Sequence, residues 1–178
     1  SYNPSSWAQR LPIALLAFLC WMISRYLAAY QLGYSNSVWD PIFPEGTFHV
    51  ITSRISKDFP ISDAGLGALA YTLEFLSTCK GGERRWCTMP WMVLVFGILV
   101  IPVGLVSTIL IILQPLVVGA WCTACLITAL FMLVLIALSL DEVAATLQYL
   151  RHSKEKPFWA LLLHGGHCPS ASEDRRTP

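Results

Sequence analysis

Apolar residues gather into four long runs along the chain, at residues 11–31, 61–78, 89–113 and 121–140. Each is close to or above the about 20 residues a helix needs to cross the hydrocarbon of a bilayer. Polar segments separate them. Residues 33–60 hold Pro41, Pro44 and Gly46 and are too polar to cross. Within that loop, residues 47–54 carry β-branched and aromatic side chains that suit a strand or a short interfacial helix equally. Residues 79–88 form a basic turn. Residues 114–120 form a tight connection through Pro115 and Gly119. After residue 140 the apolar positions Val143, Ala144, Leu147 and Leu150 keep a helical period, so the last helix is expected to run on with one apolar face. From Ser153 the chain reads as polar, and residues 169–178 read as disordered. Pro102 and Gly104 are expected kink points in the third run, and the Gly65-Leu66-Gly67-Ala68 stretch suits close helix packing. The predicted fold is an all-α integral membrane bundle of four transmembrane helices, with a long outer loop between helices 1 and 2. The expected domains are a membrane domain over 1–145 and a cytoplasmic helix extension with a polar tail over 146–178.

Composition agrees with a membrane protein. Hydrophobic residues make up 55% of the 178 and charged residues only 13%, against about 25% charged in soluble domains. A net charge of +1 offers no nucleic-acid surface. A chain that begins at Ser1 without Met reads as processed or excised from something longer, and its first apolar run is too long for a cleavable signal peptide.

Charge sets the expected topology. Lys80, Arg84 and Arg85 follow the second run, and Arg151, Lys154 and Lys156 follow the fourth. The positive-inside rule then places both termini and the 79–88 turn in the cytoplasm, as in a multi-pass protein of a bacterial inner membrane. Trp7 and Arg10 read as interface anchors. By helical rise, Arg25 and Asp63 share the outer third, a candidate charge pair, while Glu74 lies in the inner half. Arg25 snorkelling outward and Asp63 capping its helix is the equal alternative. Glu74, three residues after Tyr71, is expected to make a satisfied hydrogen bond between helices.

The chemistry-bearing motif is Trp121-Cys122-Thr123-Ala124-Cys125. It opens the fourth run at its outer end. At i, i+3 both sulfurs share a helical face, close enough to exchange a disulfide. The unpaired N–H groups of a helix start favour a thiolate. A pair facing the bundle interior suits two-electron chemistry; two small apolar fillers are the alternative. Cys20 reads as core. Cys79 and Cys87 read as free thiols on a reducing side, or else as a regulatory or structural pair. His164-Gly-Gly-His167-Cys168 has the look of a small metal-binding tract, but no bound metal is expected from so few ligands.

The order of features resembles the vitamin K epoxide reductase family, over roughly residues 8–145. The resemblance rests on Trp121-Cys122-Thr123-Ala124-Cys125-Leu126, on the 33–60 loop, and on Val50-Ile51-Thr52-Ser53, Phe59-Pro60-Ile61 and Gly67-Ala68-Leu69-Ala70-Tyr71. It implies a membrane thiol–quinone oxidoreductase, with a ubiquinone- or menaquinone-type quinone as electron acceptor. Cys125 would face the quinone and Cys122 would exchange with another thiol, for example that of a periplasmic thioredoxin-like protein. Ser53 would match the loop serine near the site, and Asp63, Gly67 and Trp121 would belong to the quinone-binding wall.

The resemblance also implies two loop cysteines, near Trp39 and Thr47, and an aromatic hydroxyl four residues after Cys125. The 33–60 loop has no cysteine, and Ala129 stands at the second place. These departures support the alternative reading of a non-catalytic membrane module for assembly, interaction or sensing.

Overall fold

The computed structural model describes residues 3–57, 62–153, 157–166 and 168. The loop stretch Phe59-Pro60-Ile61, Lys154, Lys156, His167 and residues 169–178 lie outside them. Among the described residues the chain is helical throughout, with no strand. Helix α1 spans Trp7–Gln31, α2 Gly46–Ile51, α3 Arg54–Lys57 and α4 Asp63–Cys79. Then come α5 Arg85–Thr88, α6 Pro90–Leu113, α7 Thr123–His152 and α8 Phe158–His164.

Three helices are long and apolar enough to cross a membrane: α1, the continuous helix Pro90–Val118, and α7. The side chains they leave exposed, such as Ile98, Leu105, Ile109, Leu130 and Leu133, are apolar, as a lipid-facing surface requires. Helix α4, with 17 residues, is shorter and packs along α1. Helix α7 in turn lies against α1 and α6. Its 30 residues make about 45 Å of helix, more than the about 30 Å of hydrocarbon. The helix therefore continues past the apolar run, as its periodicity predicts.

Small residues set the closest approaches. A side chain at Gly104 would overlap Ile136, so α6 meets α7 there only because the Cβ is missing. At Gly67 an added Cβ would stand 3.3 Å from the Ser24 hydroxyl of α1. Between them lies a core of Ile13, Ala17, Cys20, Phe96, Met132 and Leu135, with Cys20 buried as expected.

Several sequence expectations need correction. Of the two readings for residues 47–54, the helical one holds for α2, which ends at Ile51, and Thr52 and Ser53 form a turn before α3. Residues 114–120 are not a bare connection: a π-helical turn, Gln114–Val118, extends α6. Gly119, at φ +70°, then reverses the chain. Arg10 is no surface anchor. It is fully buried, and its guanidinium donates to the carbonyls of Thr78, Lys80 and Gly81. It thereby satisfies the open C-terminal carbonyls of α4, which has no basic residue in its own last turn. Arg85 is buried too and forms a bidentate pair with Glu142 of α7, both bonds 2.6 Å. Glu74 has the opposite fate. Both its carboxyl oxygens are buried without a hydrogen-bond partner among the described residues, where a satisfied bond is expected.

The chain after Ser153 is not simply polar. Leu161 of α8 is fully buried against Cys87, Tyr149 and Leu150. Gly166 N donates to the Cys87 carbonyl at 3.1 Å. Cys87 and Cys168 are disulfide-bonded, with Cα atoms 5.5 Å apart, so Cys87 is not a free thiol. Cys79 is free and exposed.

Candidate functional site

At the end of the molecule opposite Arg85, the chain enters α7 through Trp121 and Cys122. Cys122 is the helix N-cap and Cys125 lies in the first turn, with Cα atoms 5.2 Å apart and a disulfide between them. The Cys122 sulfur also accepts the Cys125 N–H at 3.1 Å. An oxygen side chain would normally fill that capping role, so sulfur here meets the N–H groups that open the helix. Cys122 is fully buried. Its backbone N–H donates to Oε1 of Gln114 at 3.1 Å.

Beside the pair is a cavity of about 330 Å³, within the size range of small-molecule sites. Cys125 lines it; Cys122 does not. Of the other sequence-derived candidates, Ser53, Asp63 and Gly67 line the same cavity. Its walls are mostly apolar and come from α1, α4 and α6. Leu66 and Val106 line it and are themselves exposed, which marks its mouth between α4 and α6. Trp121 stays outside, with 37% of its surface exposed.

The candidate charge pair is not formed. Arg25 is exposed and stacks over Trp21, its guanidinium carbon 4.8 Å from the ring centre. Asp63 is engaged elsewhere. Its Oδ1 accepts from Gln31 Nε2 at 2.5 Å and from the Ser56 hydroxyl at 2.9 Å. Ser62, not Asp63, caps α4, its hydroxyl accepting the Gly65 N–H at 3.1 Å. Gln31, Ser56 and Asp63 thus tie the end of α1, the segment after it and the start of α4 into one roof over the cavity.

That segment also closes over the cysteine pair, through residues the sequence reading did not single out. Asp40 opens an Asx-turn, accepting from Phe43 N at 3.0 Å and Ile42 N at 3.3 Å. Its other oxygen accepts from Thr47 N at 2.9 Å and from the Thr47 hydroxyl at 2.6 Å. Oδ1 also accepts from the hydroxyl of Thr123, next to Cys122. Burial raises the Asp40 pKa, but the bonds from Thr123, Thr47 and the Phe43 and Thr47 N–H groups outweigh it and hold the carboxyl well below the usual carboxylate range. Gly46 completes the closure: a side chain there would overlap the Trp121 carbonyl. The resemblance implies loop cysteines near Trp39 and Thr47, and the hydrogen-bonded latch occupies that region. Asp-Pro followed by Gly-Thr was the available signal, an acidic turn residue inside a Pro- and Gly-rich stretch.

No cluster of three or more metal-ligating side chains occurs among the described residues. No curated protein and no solved structure matches the chain. The model of the vitamin K epoxide reductase family matches residues 11–140. A match over that much of a helical membrane chain, with the cysteine pair inside it, means that the protein belongs to the vitamin K epoxide reductase family.

Proposed function

We propose that this protein is a membrane thiol–quinone oxidoreductase in which Cys122 and Cys125 pass two electrons to a quinone held in the cavity. The observation that carries the reading is the asymmetry of the pair: Cys125 lines the cavity and Cys122 sits behind it, fully buried. The reaction balances without another redox group. The dithiol loses two electrons and two protons as its S–S bond forms, and the quinone takes up both and leaves as the quinol. Cys125, facing the ring, is the sulfur that attacks. Cys122 closes the disulfide and is the sulfur through which an external thiol later restores the pair.

The apolar walls suit the ring and first isoprenoid carbons of a ubiquinone- or menaquinone-type molecule. The mouth between α4 and α6 admits a lipid-soluble substrate from the side. Gly67 keeps the α4 wall low where the ring must lie, and Ser53 offers a hydroxyl from the segment between α1 and α4 that covers the cavity as a lid. Asp63 brings its carboxyl group to the cavity wall from the start of α4, where it would hydrogen-bond an oxygen of the bound quinone or quinol.

In this reading α1, α4, the Pro90–Val118 helix and α7 form a four-helix membrane bundle. The cysteine end faces the periplasm of a bacterial inner membrane, and both termini are cytoplasmic. Residues 1–145 form the membrane domain, and α8 belongs to the extension over 146–178. A thioredoxin-like thiol protein is the expected reductant, and it must meet Cys122 with the lid open. The closed lid and its lack of cysteines favour one second reading, a family member kept for interaction rather than turnover.

Thiol trapping in native membranes separates the two. Adding quinone to the reduced protein is expected to convert the Cys122–Cys125 dithiol to a disulfide, and Cys125→Ala is expected to abolish quinol formation. A pair that stays reduced with every quinone tried would overturn the enzymatic reading.

A further inference from the structure

Gln114 opens the π-helical turn that joins α6 to the Cys-x-x-Cys segment. π-turns inside helices occur often at functional sites because they push one residue out of register. Here the turn opens on an amide side chain, only 4% exposed, at the end of a largely apolar helix. Its carboxamide stands against the Cys122 backbone N–H, which can only donate. The atom facing it is therefore the amide oxygen, and the nitrogen points the other way.

That nitrogen has no hydrogen-bond partner among the described residues. Nor is it sealed in the protein: among them, the buried side-chain atoms left unpartnered are the two oxygens of Glu74. Gln114 lines the cavity together with Cys125. The hydroxyls on the same wall are already committed. Ser107 donates to the Val103 carbonyl at 2.8 Å, and Thr128 to the Cys125 carbonyl at 2.9 Å. The α6–α7 wall thus presents one uncommitted donor, at the cysteine end.

We propose that Gln114 Nε2 donates a hydrogen bond to a carbonyl oxygen of the quinone held against Cys125, an inference that rests on the oxidoreductase reading above. One side chain then serves both partners of the reaction. Its oxygen fixes the backbone of Cys122, and its nitrogen fixes the oxygen on which negative charge builds as electrons arrive. A preorganised donor at that oxygen strengthens as the charge develops.

The test compares Gln114→Glu with Gln114→Leu in the full-length protein, reduced with dithiothreitol and assayed for menadione reduction. The glutamate variant keeps an oxygen for the Cys122 N–H but turns the donor into a second acceptor. Its kcat/KM is expected to fall about 100-fold, the usual loss when one such donor is removed, with its melting temperature unchanged. Its activity relative to wild type should recover as the pH falls, because the protonated carboxyl can donate again. Gln114→Leu, which has no donor at any pH, should lose as much activity and show no such recovery. A glutamate variant within about threefold of wild type at neutral pH, or one whose ratio to wild type is flat with pH, would overturn the inference while leaving the oxidoreductase reading intact. Wild-type protein that reduces no quinone would overturn both, and that result needs no variant.

Discussion

Cys122 has no exposed surface, so any thiol that reaches it must wait for the lid to open. Asp40→Ala tests what holds the lid. The substitution removes the bond from Thr123, the contact that crosses from lid to α7, and a charge-assisted bond contributes about 1.5–3 kcal/mol. It also strips the N–H and hydroxyl of Thr47, a fully buried residue, and an unsatisfied buried group costs about 1–3 kcal/mol. Asp40 itself is only partly buried, and solvent screening discounts the sum to about 3 kcal/mol. That corresponds to about a 100-fold larger open population. The assay is alkylation of the reduced protein with N-ethylmaleimide, read by mass spectrometry at each cysteine. Cys122 should react about 100-fold faster in Asp40→Ala and about tenfold faster in Asp40→Asn, which keeps one acceptor. Cys79, exposed at the far end, is the internal reference and should not change. An increase at Cys122 below about threefold would refute the latch.

The pH dependence has a definite sign. The Asp40 carboxyl is held low in the closed state, so its contribution is present above the open-state pKa and is lost as the pH falls through the closed-state value. Cys122 protection should therefore be flat above about pH 4, the ordinary carboxylate range.

Two predictions concern the opposite end. Glu142→Ala leaves Arg85 buried and unpaired and should destabilise the protein by about 3–5 kcal/mol, whereas the double change Arg85→Met with Glu142→Leu should recover most of that loss in thermal melts. Cys168→Ser should cost about 4.5 kcal/mol by the chain-entropy model for a link spanning 81 residues. Reductant should lower the melting temperature of wild type more than that of the variant, which keeps only the Cys122–Cys125 disulfide, and once both proteins are reduced Cys122 should be alkylated at the same rate in each.

The sequence by itself determined what depends on near neighbours. Hydropathy located the helices to within a few residues, since lipid selects for runs of apolar side chains whatever their partners. The i, i+3 spacing of Cys122 and Cys125 placed both sulfurs together through helix geometry alone. The small residues around Gly67 foretold a close approach of α4 without saying to what. Arg10 and Cys87 were misread, and the pairing of Arg85 was not visible, because their partners are remote: Thr78 for Arg10, Glu142 at a separation of 57 for Arg85 and Cys168 at 81 for Cys87. A basic residue in a turn looks the same in sequence whether it meets headgroups or a buried carboxylate. Asp40 could be read as a turn residue, but its partner across the lid could not, as Thr123 lies 83 residues on. Gln114 was hidden by local geometry, since a π-turn has no hydropathy signature and a polar residue before proline reads as a break. Tertiary packing alone decided which cysteine faces the cavity, because helix spacing gives both the same face and only the lid and the α6 amide distinguish them.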